Sequence, residues 1–289
     1  MYNTKEIFSF NIGDKKGDFS VVTYNVGSFN LDRYSIYTDK DTIITLDTTD
    51  VFQQNLWIDS LKADVVCFQE FYNNDMITSE SIIHKMSSLG YHYFYMNPIK
   101  MPWFTGYFGI ITFSKHPIIK SGPLRFSHRH GLNNGIYSDI LIGKDTLRIL
   151  NIHLHSMSLS VNFTQGKGDT LIRNIKVIKR KLEKGFIIRG RQIDDIADFV
   201  QKSPYPTIVA GDFNDTPYSY TYQKLKSIMK NTFENSGNGF GYTYNKFPWF
   251  IRIDNQFYTN GLQANYCEVM CTNKLSDHYP VTSYYSISK

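Results

Sequence analysis

The chain of 289 residues carries 31 Lys and Arg against 26 Asp and Glu, a formal charge of +5, and only three cysteines. A chain this long buries a sizeable core unaided, and Cys67, Cys267 and Cys271 match neither a disulfide framework nor a zinc-ligand spacing, which excludes small disulfide scaffolds and structural zinc modules. No stretch approaches the roughly 18 consecutive apolar residues of a membrane span, and the first residues lack the apolar run of a signal peptide; a cytoplasmic protein is the default expectation, with an upstream membrane or export segment left open.

In chain order, the first apolar run, "FSVVTYNV" from Phe19, reads as a strand. Residues 51–62 read as a helix leading into a second strand, "DVVCFQE". In residues 79–89, Ile82, Ile83, Met86 and Leu89 follow helical spacing, and Gly90 is placed to end the helix. Strand-like runs then follow as "YHYFYM", "FGIITFS", "GIYSDILI" and "LRILNIHL". The region 156–170 reads as irregular and leads into a basic segment, where nine Lys or Arg residues lie between Lys167 and Arg191 against Asp169 and Glu183. That segment reads either as a patch for nucleic acid or anionic lipid or as a solvated helix face. Ile193, Ile196, Ala197 and Val200 predict a helix over 190–202. "TIVAGDF" is the next strand, a helix is expected over 218–228, and "IDNQFY" and "PVTSYYSI" complete the strands.

Strands outnumber helices, and the 21 Tyr and 21 Phe favour sheet. Because helices do not alternate regularly with strands, the pattern predicts sheets packed on each other with helices outside, in a single domain over 1–289.

Several strands end in an amide, an acid or a histidine: Asn25, Glu70, His153, Asp212, Asp254 and the Asp277–His278 pair. A carboxylate at the rim of an apolar sheet is costly unless it is paired or binds a metal. Each residue alone has a plain structural reading as a turn, a cap or a partner of a surface lysine. Together they suit Mg²⁺-assisted attack on a phosphate: a hard cation takes a few oxygen ligands, amides and imidazolium groups hold phosphate oxygens, and a carboxylate orients water. Strand alternation places Asn151, His153 and His155 on one face, which also raises a transition-metal site at the two histidines; the other histidines supply no ligands at metal spacing to complete it.

Taken in order, Asn25, "QE" at Gln69–Glu70, "NxHL" at Asn151–Leu154, "GDFN" at Gly211–Asn214, "RID" at Arg252–Asp254 and "SDH" at Ser276–His278 resemble the endonuclease/exonuclease/phosphatase family over residues 21–281. The resemblance implies an α/β fold, a four-layer α/β/β/α sandwich of two mostly antiparallel central sheets with helices on the outer faces. It implies Mg²⁺, with Mn²⁺ as a substitute, held by Glu70 with Asn25 and Asp277 close by. By the same resemblance, Asp212 orients or deprotonates the attacking water and Asn214 positions that water and the phosphate. Asp254 holds His278, and His278 and His153 face the phosphate oxygens. Tyr107, matching a phosphate-contacting tyrosine of abasic-site endonucleases, is a candidate substrate contact, as are His155 at the rim and Arg191 at the end of the basic segment. Asn255 departs from the pattern, which commonly has an aromatic residue there, and Asp215 reads as a cap.

The implied partner is a phosphoester substrate: nucleic acid, phospholipid or small phosphate ester, cleaved by a monomer without an obligate protein partner. Two aromatic segments, around Trp103–Phe108 and Phe240–Phe250, are candidates to stack on bases or to enter a membrane.

Overall fold

A computed structural model describes residues 8–11, 13–28, 48–73, 81–100, 106–127, 134–156, 169–246, 251–273 and 275–288. The expectations resting on Trp103, Phe104, Phe247, Trp249, Phe250, His128 and His130 lie outside the described residues.

Four strands explain the layering. β2 (Phe19–Asn25), β3 (Val65–Asn73), β8 (Asp145–His153) and β9 (Thr207–Asp212) are near-continuous apolar runs, the pattern of strands covered on both faces. Alternate residues serve two different cores. Val21, Val65, Cys67, Leu147, Ile149, Ile208 and Ala210 meet between the sheets. On one outer face, Val22, Tyr24, Val66 and Phe68 pack with Ile58 of α1 (Thr48–Ser60) and with Ile82 and Met86 of α2 (Ile82–Ser88). On the other, Leu150, Ile152 and Val209 pack with Ile193, Ile196 and Val200 of α3 (Asp169–Gln201) and with Tyr222 and Leu225 of α4 (Tyr220–Lys226). The result is the expected four-layer sandwich.

The first sheet runs β13 (Leu262–Val269), β14 (Val281–Ile287), β2, β3, β5 (Tyr107–Ser114), β4 (Tyr93–Lys100). The second runs β10 (Lys230–Asn231), β12 (Asp254–Tyr258), β9, β8, β7 (Gly135–Ile142), β6 (Ile118–Pro123). A small pair, β1 (Phe8–Phe10) with β11 (Asn238–Phe240), stands apart, and α5 (Thr232–Ser236) follows β10. Each large sheet is antiparallel except for one central parallel pair, β2–β3 and β8–β9. Both parallel pairs need a crossover, which places α1 and α3 on opposite outer faces.

The structure extends the sequence reading, adding the short β1, β10, β11 and α5 among others. β6 and β13 add edge strands that lack a strong apolar run. The helix expected over 190–202 begins at Asp169 and is 33 residues long. Gly185 and Gly190 look like breaks in sequence, but helical spacing continues through them at Ile178, Leu182, Phe186 and Arg189.

Along the strands, the space between the sheets changes character. The apolar end gives way to a belt of buried amides. Gln69 Nε2 donates to Asn151 Oδ1 across the two sheets at 2.7 Å and to Thr23 Oγ1 at 3.0 Å. Asn151 Nδ2 donates to the Ile111 carbonyl at 2.8 Å, and Gln256 Nε2 to the Val281 carbonyl at 2.9 Å. Buried amides are tolerated because they are bonded, and here their bonds tie sheet to sheet. Beyond the belt lie the acids.

Candidate active site

The parallel pairs bring strand C-termini together. Asn25 pairs in register with Gln69, and His153 with Asp212, while Asp254 opens the antiparallel β12 directly opposite Asp212. Inward-facing positions thus run Val21, Thr23, Asn25 along β2 and Leu147, Ile149, Asn151, His153 along β8.

Glu70 does not follow this parity. Alternation would turn it away from the site once Gln69 faces inward. Instead, β3 slips register against β5 between Phe68 and Phe71, and Glu70 has φ +49°. The extra residue of a bulge lets two neighbours serve one face, so Gln69 joins the amide belt and Glu70 reaches the site while Phe68 and Phe71 both keep the outer core. A left-handed glutamate is unfavourable in isolation, and such outliers cluster at functional sites. Gly211 serves the opposite strand end: its φ is +150°, and a Cβ there would run into the Ile152 carbonyl oxygen of β8.

Asp212 is 1 % exposed and heavily bonded. Its Oδ1 accepts from the Asn214 backbone N–H at 2.7 Å, and its Oδ2 from Asn25 Nδ2 at 3.0 Å and Asn214 Nδ2 at 3.2 Å. Asn214, itself at φ +49°, also donates to the Leu154 carbonyl at 2.9 Å. His153 Nε2 lies 3.6 Å from Asp212 Oδ2 and 3.6 Å from Glu70 Oε1. His278 Nε2 lies 3.8 Å from Asp212 Oδ2, and its Nδ1 is 2.8 Å from Asp254 Oδ2. Burial pushes the Asp254 carboxyl up to about 6 even against the pull of His278. Burial alone would lower the His278 imidazolium, but Asp254 and then Asp212 outweigh it and raise it to about 10. Between those values both are charged, and the ring keeps a proton on each nitrogen.

The "SDH" loop is fastened beside Asn25. Ser276 Oγ donates to the Asn25 carbonyl at 2.8 Å and lies 3.4 Å from Asp277 Oδ1. Asn245 holds the same loop, its N–H on the Asp277 carbonyl at 2.9 Å. Tyr244 forms a wall that the motifs do not mark. Its ring packs edge-on against His278 at 5.2 Å, and burial followed by the charges of Asp277, Asp212 and Glu70 raises its phenol. Ser276 was legible within its motif and Tyr244 within the second aromatic segment, while Asn245 had no sequence signal; the β-bridge of Tyr244 to His278 brings both to the site.

The remaining predicted residues lie around this centre. Tyr107 sits at the start of β5, with Asn73 Nδ2 3.4 Å from its hydroxyl. His155 is half-buried; Arg189 Nη1 donates to its carbonyl at 3.1 Å, and its N–H donates to Gln192 Oε1 at 3.0 Å. Arg191 is exposed on α3, away from the face that Arg189 and Gln192 turn to the sheet. Asp215 is more than a cap: besides taking the Thr216 N–H, it accepts from the fully buried Arg189 Nε at 3.0 Å and from Thr221 Oγ1 at 3.0 Å. Arg252 of "RID" is structural, bonded to the Tyr222 hydroxyl at 3.0 Å and stacked on Phe233. Phe108, from the first aromatic segment, belongs to the core.

Among the described residues, Asp212, Asp254 and His278 offer ligand atoms within 4.8 Å of one another. In this trio His278 Nδ1 is engaged by Asp254 at 2.8 Å and its Nε2 lies 3.8 Å from Asp212, an ion-pair arrangement. The fit for a hard cation is on the other side. Glu70 keeps 40 % of its side chain exposed and, among the described residues, accepts a hydrogen bond from Asn25 Nδ2 at 3.2 Å. Asn25 turns its Nδ2 to Glu70 and Asp212 while its Oδ1 accepts the Gly27 N–H at 3.1 Å, so the hard oxygen donor open to Mg²⁺ here is the Glu70 carboxylate.

This layered fold, with a carboxylate–amide–histidine cluster at the strand ends, defines a class that comparison identifies. The sequence profile of the Endonuclease/Exonuclease/phosphatase family matches residues 22–278, and the chain belongs to that family. No curated protein matched the sequence at the significance required. Among solved structures, an endonuclease/exonuclease/phosphatase from Bacteroides vulgatus superposes with a TM-score of 0.62 at 15 % identity, covering 93 % of this chain and 99 % of its own. The human Nocturnin catalytic domain, solved with a bound sulfate anion, gives 0.60 at 15 % identity over 96 % and 98 %. ANGEL2, described as a 2',3'-cyclic phosphatase, gives 0.60 at 17 % identity over 96 % and 97 %. At these identities the likeness carries the fold.

Proposed function

We propose that this chain, working as one domain, is a Mg²⁺-dependent hydrolase of phosphoester bonds, with Mn²⁺ as a substitute, acting by in-line attack of an activated water. The observation that carries the reading is Asp212: a buried carboxylate with both oxygens held by Asn25 and Asn214 and flanked by two imidazoles. Its bonds aim a lone pair without neutralising it, which is what a base that orients water needs. Asn214 steadies that base and lines the water's approach. His278, kept protonated by Asp254, and His153 face the non-bridging oxygens, where charge develops. Glu70, Asn25 and Asp277 hold the cation. When bound, Mg²⁺ supplies Lewis-acid stabilisation of the phosphoryl and leaving oxygens. Tyr107, His155 and Arg191 are assigned to substrate at the rim. The structural likeness to ANGEL2, a 2',3'-cyclic phosphatase, supports the bond class.

The test is hydrolysis of bis-p-nitrophenyl phosphate by the native chain, by Glu70→Gln and by Asp212→Asn, with chelation followed by Mg²⁺ add-back. Loss in both variants and recovery of the native enzyme by Mg²⁺ are expected. Full activity in either variant overturns the assignment.

A further inference from the structure

The helix α3 is longer than the sheet it covers. Arg189 and Gln192 bind the His155 backbone, which sets residues 189–192 at the catalytic rim, while Phe199 stacks on Arg148 near the far end of β8. Thirty-three residues span ~50 Å at about 1.5 Å each, and the part before Ile188 lies on the rim side of the His155 contact. Exposure follows this division. Ile188, Ile193 and Ile196 are buried, whereas Phe186 is 50 % and Ile187 58 % exposed. Ile178, Leu182 and Phe186, spaced by four, continue the apolar stripe of the packed part; Ile178 and Leu182 are half-buried and Gly185 buried, while Phe186 is exposed. On another side of the helix Lys176, Arg180 and Lys184 also recur by four and are exposed. From 176 to 187 Glu183 is the one acid among five Lys or Arg residues.

We propose that residues 176–187 of α3 dock the protein on an anionic phospholipid bilayer. Phe186 and its apolar neighbours would enter the interface, and the lysines would reach headgroup phosphates. A basic amphipathic helix lies in the plane of such a surface, and lysine stems cover apolar area while their ammonium groups stay in water. A polynucleotide would satisfy the cations, but its phosphates and stacking faces give Val177 and Ile187 no matching contact. Because the docked segment lies on the rim side of the His155 contact, the cleft meets the headgroup layer, and membrane phosphoesters become the substrate class. That consequence rests on the proposed hydrolysis; the docking does not.

Flotation of the full chain with phosphatidylglycerol vesicles and with pure phosphatidylcholine vesicles tests it. The native chain should float with the anionic vesicles and stay behind with the neutral ones. Phe186→Ser with Ile187→Ser should weaken binding by about tenfold or more, as expected when two apolar side chains leave the interface. Ile187→Ser alone keeps the test alive if the pair fails to fold. Lys176→Glu, Arg180→Glu and Lys184→Glu together should abolish flotation. No binding to anionic vesicles, binding indifferent to the apolar changes, or displacement of vesicles by DNA overturns the docking. All these variants should hydrolyse bis-p-nitrophenyl phosphate as the native chain does. A native chain that hydrolyses the diester but stays behind with the anionic vesicles therefore refutes docking alone, and native activity in Glu70→Gln refutes the catalytic reading alone.

Discussion

Glu70 and Asp212 each stand at the end of a central parallel strand, one in each sheet, and the fold treats them oppositely. Asp212 follows strand parity, is buried and has both oxygens bonded by neighbouring amides. Glu70 breaks parity through a bulge, takes a left-handed backbone and leaves much of its carboxylate in water. A buried carboxylate is costly without such bonds, so the network around Asp212 was a condition of its burial and gives it one orientation. Glu70 has no such need, and its open lone pairs remain for something from outside. The lesson is that one acid is preorganised by the protein, while the other, on the proposed function, is left for the cation to complete.

The strongest way to break that distinction separates activity from cation binding. Asp212→Asn and Glu70→Gln should each lower kcat on a generic diester by ~10³-fold, within the range of positioned acid–base and metal effects. Mg²⁺ should raise the Tm of native protein and of Asp212→Asn but not of Glu70→Gln. Equal loss of the Mg²⁺ shift in both variants would mean that the two carboxylates share the cation.

Stability separates them next. The Asp212 end depends on close packing of β8 on β9, so Gly211→Ala, which forces a Cβ against the Ile152 carbonyl, should cost about 2–3 kcal/mol in urea unfolding. Asn151→Leu removes the amide that bridges the sheets behind the site and should cost roughly 1–3 kcal/mol, with a fall in kcat because Gln69 loses its cross-sheet partner. Glu70→Gln should change metal-free stability by about 0.5 kcal/mol or less, as at an ordinary exposed position.

The smallest expected effect concerns pH. Asp254 must be ionised, so activity should fall as pH drops through about 6. His278 must be protonated, so activity should fall as pH rises through about 10. Asp254→Asn removes the chief attraction on the imidazolium and should move the alkaline limb of kcat/KM downward by one unit or more. An unmoved limb would show that His278 does not set it.

Much of the site was legible because strand periodicity is local. Asn25, His153, Asp212 and Asp254 share inward parity with apolar residues before or after them, and Gly211 and Asn214 lie within the same short motif. Glu70 was legible by motif but not by parity, since a bulge depends on the register of the partner strand. The length of α3 is missed when the helix is read only from the Ile193–Val200 stripe and the basic segment before it stands as either a patch or a solvated helix face, although the stripe through Ile178, Leu182 and Phe186 is already present. The Arg189–Asp215 pair joins residues 26 apart across two elements, and nothing in either neighbourhood announces it.

What the sequence by itself determined is the inventory and its periodicity: oxygen donors, amides and imidazoles at the ends of two-sided apolar strands, in a family's order. Only the tertiary structure decided which of those groups meet, because parallel pairing, a bulge and loop docking are long-range events. That is why Asp212 ends buried and bonded, His278 charged beside Asp254, Glu70 partly exposed, and α3 continuous from Asp169 to Gln201.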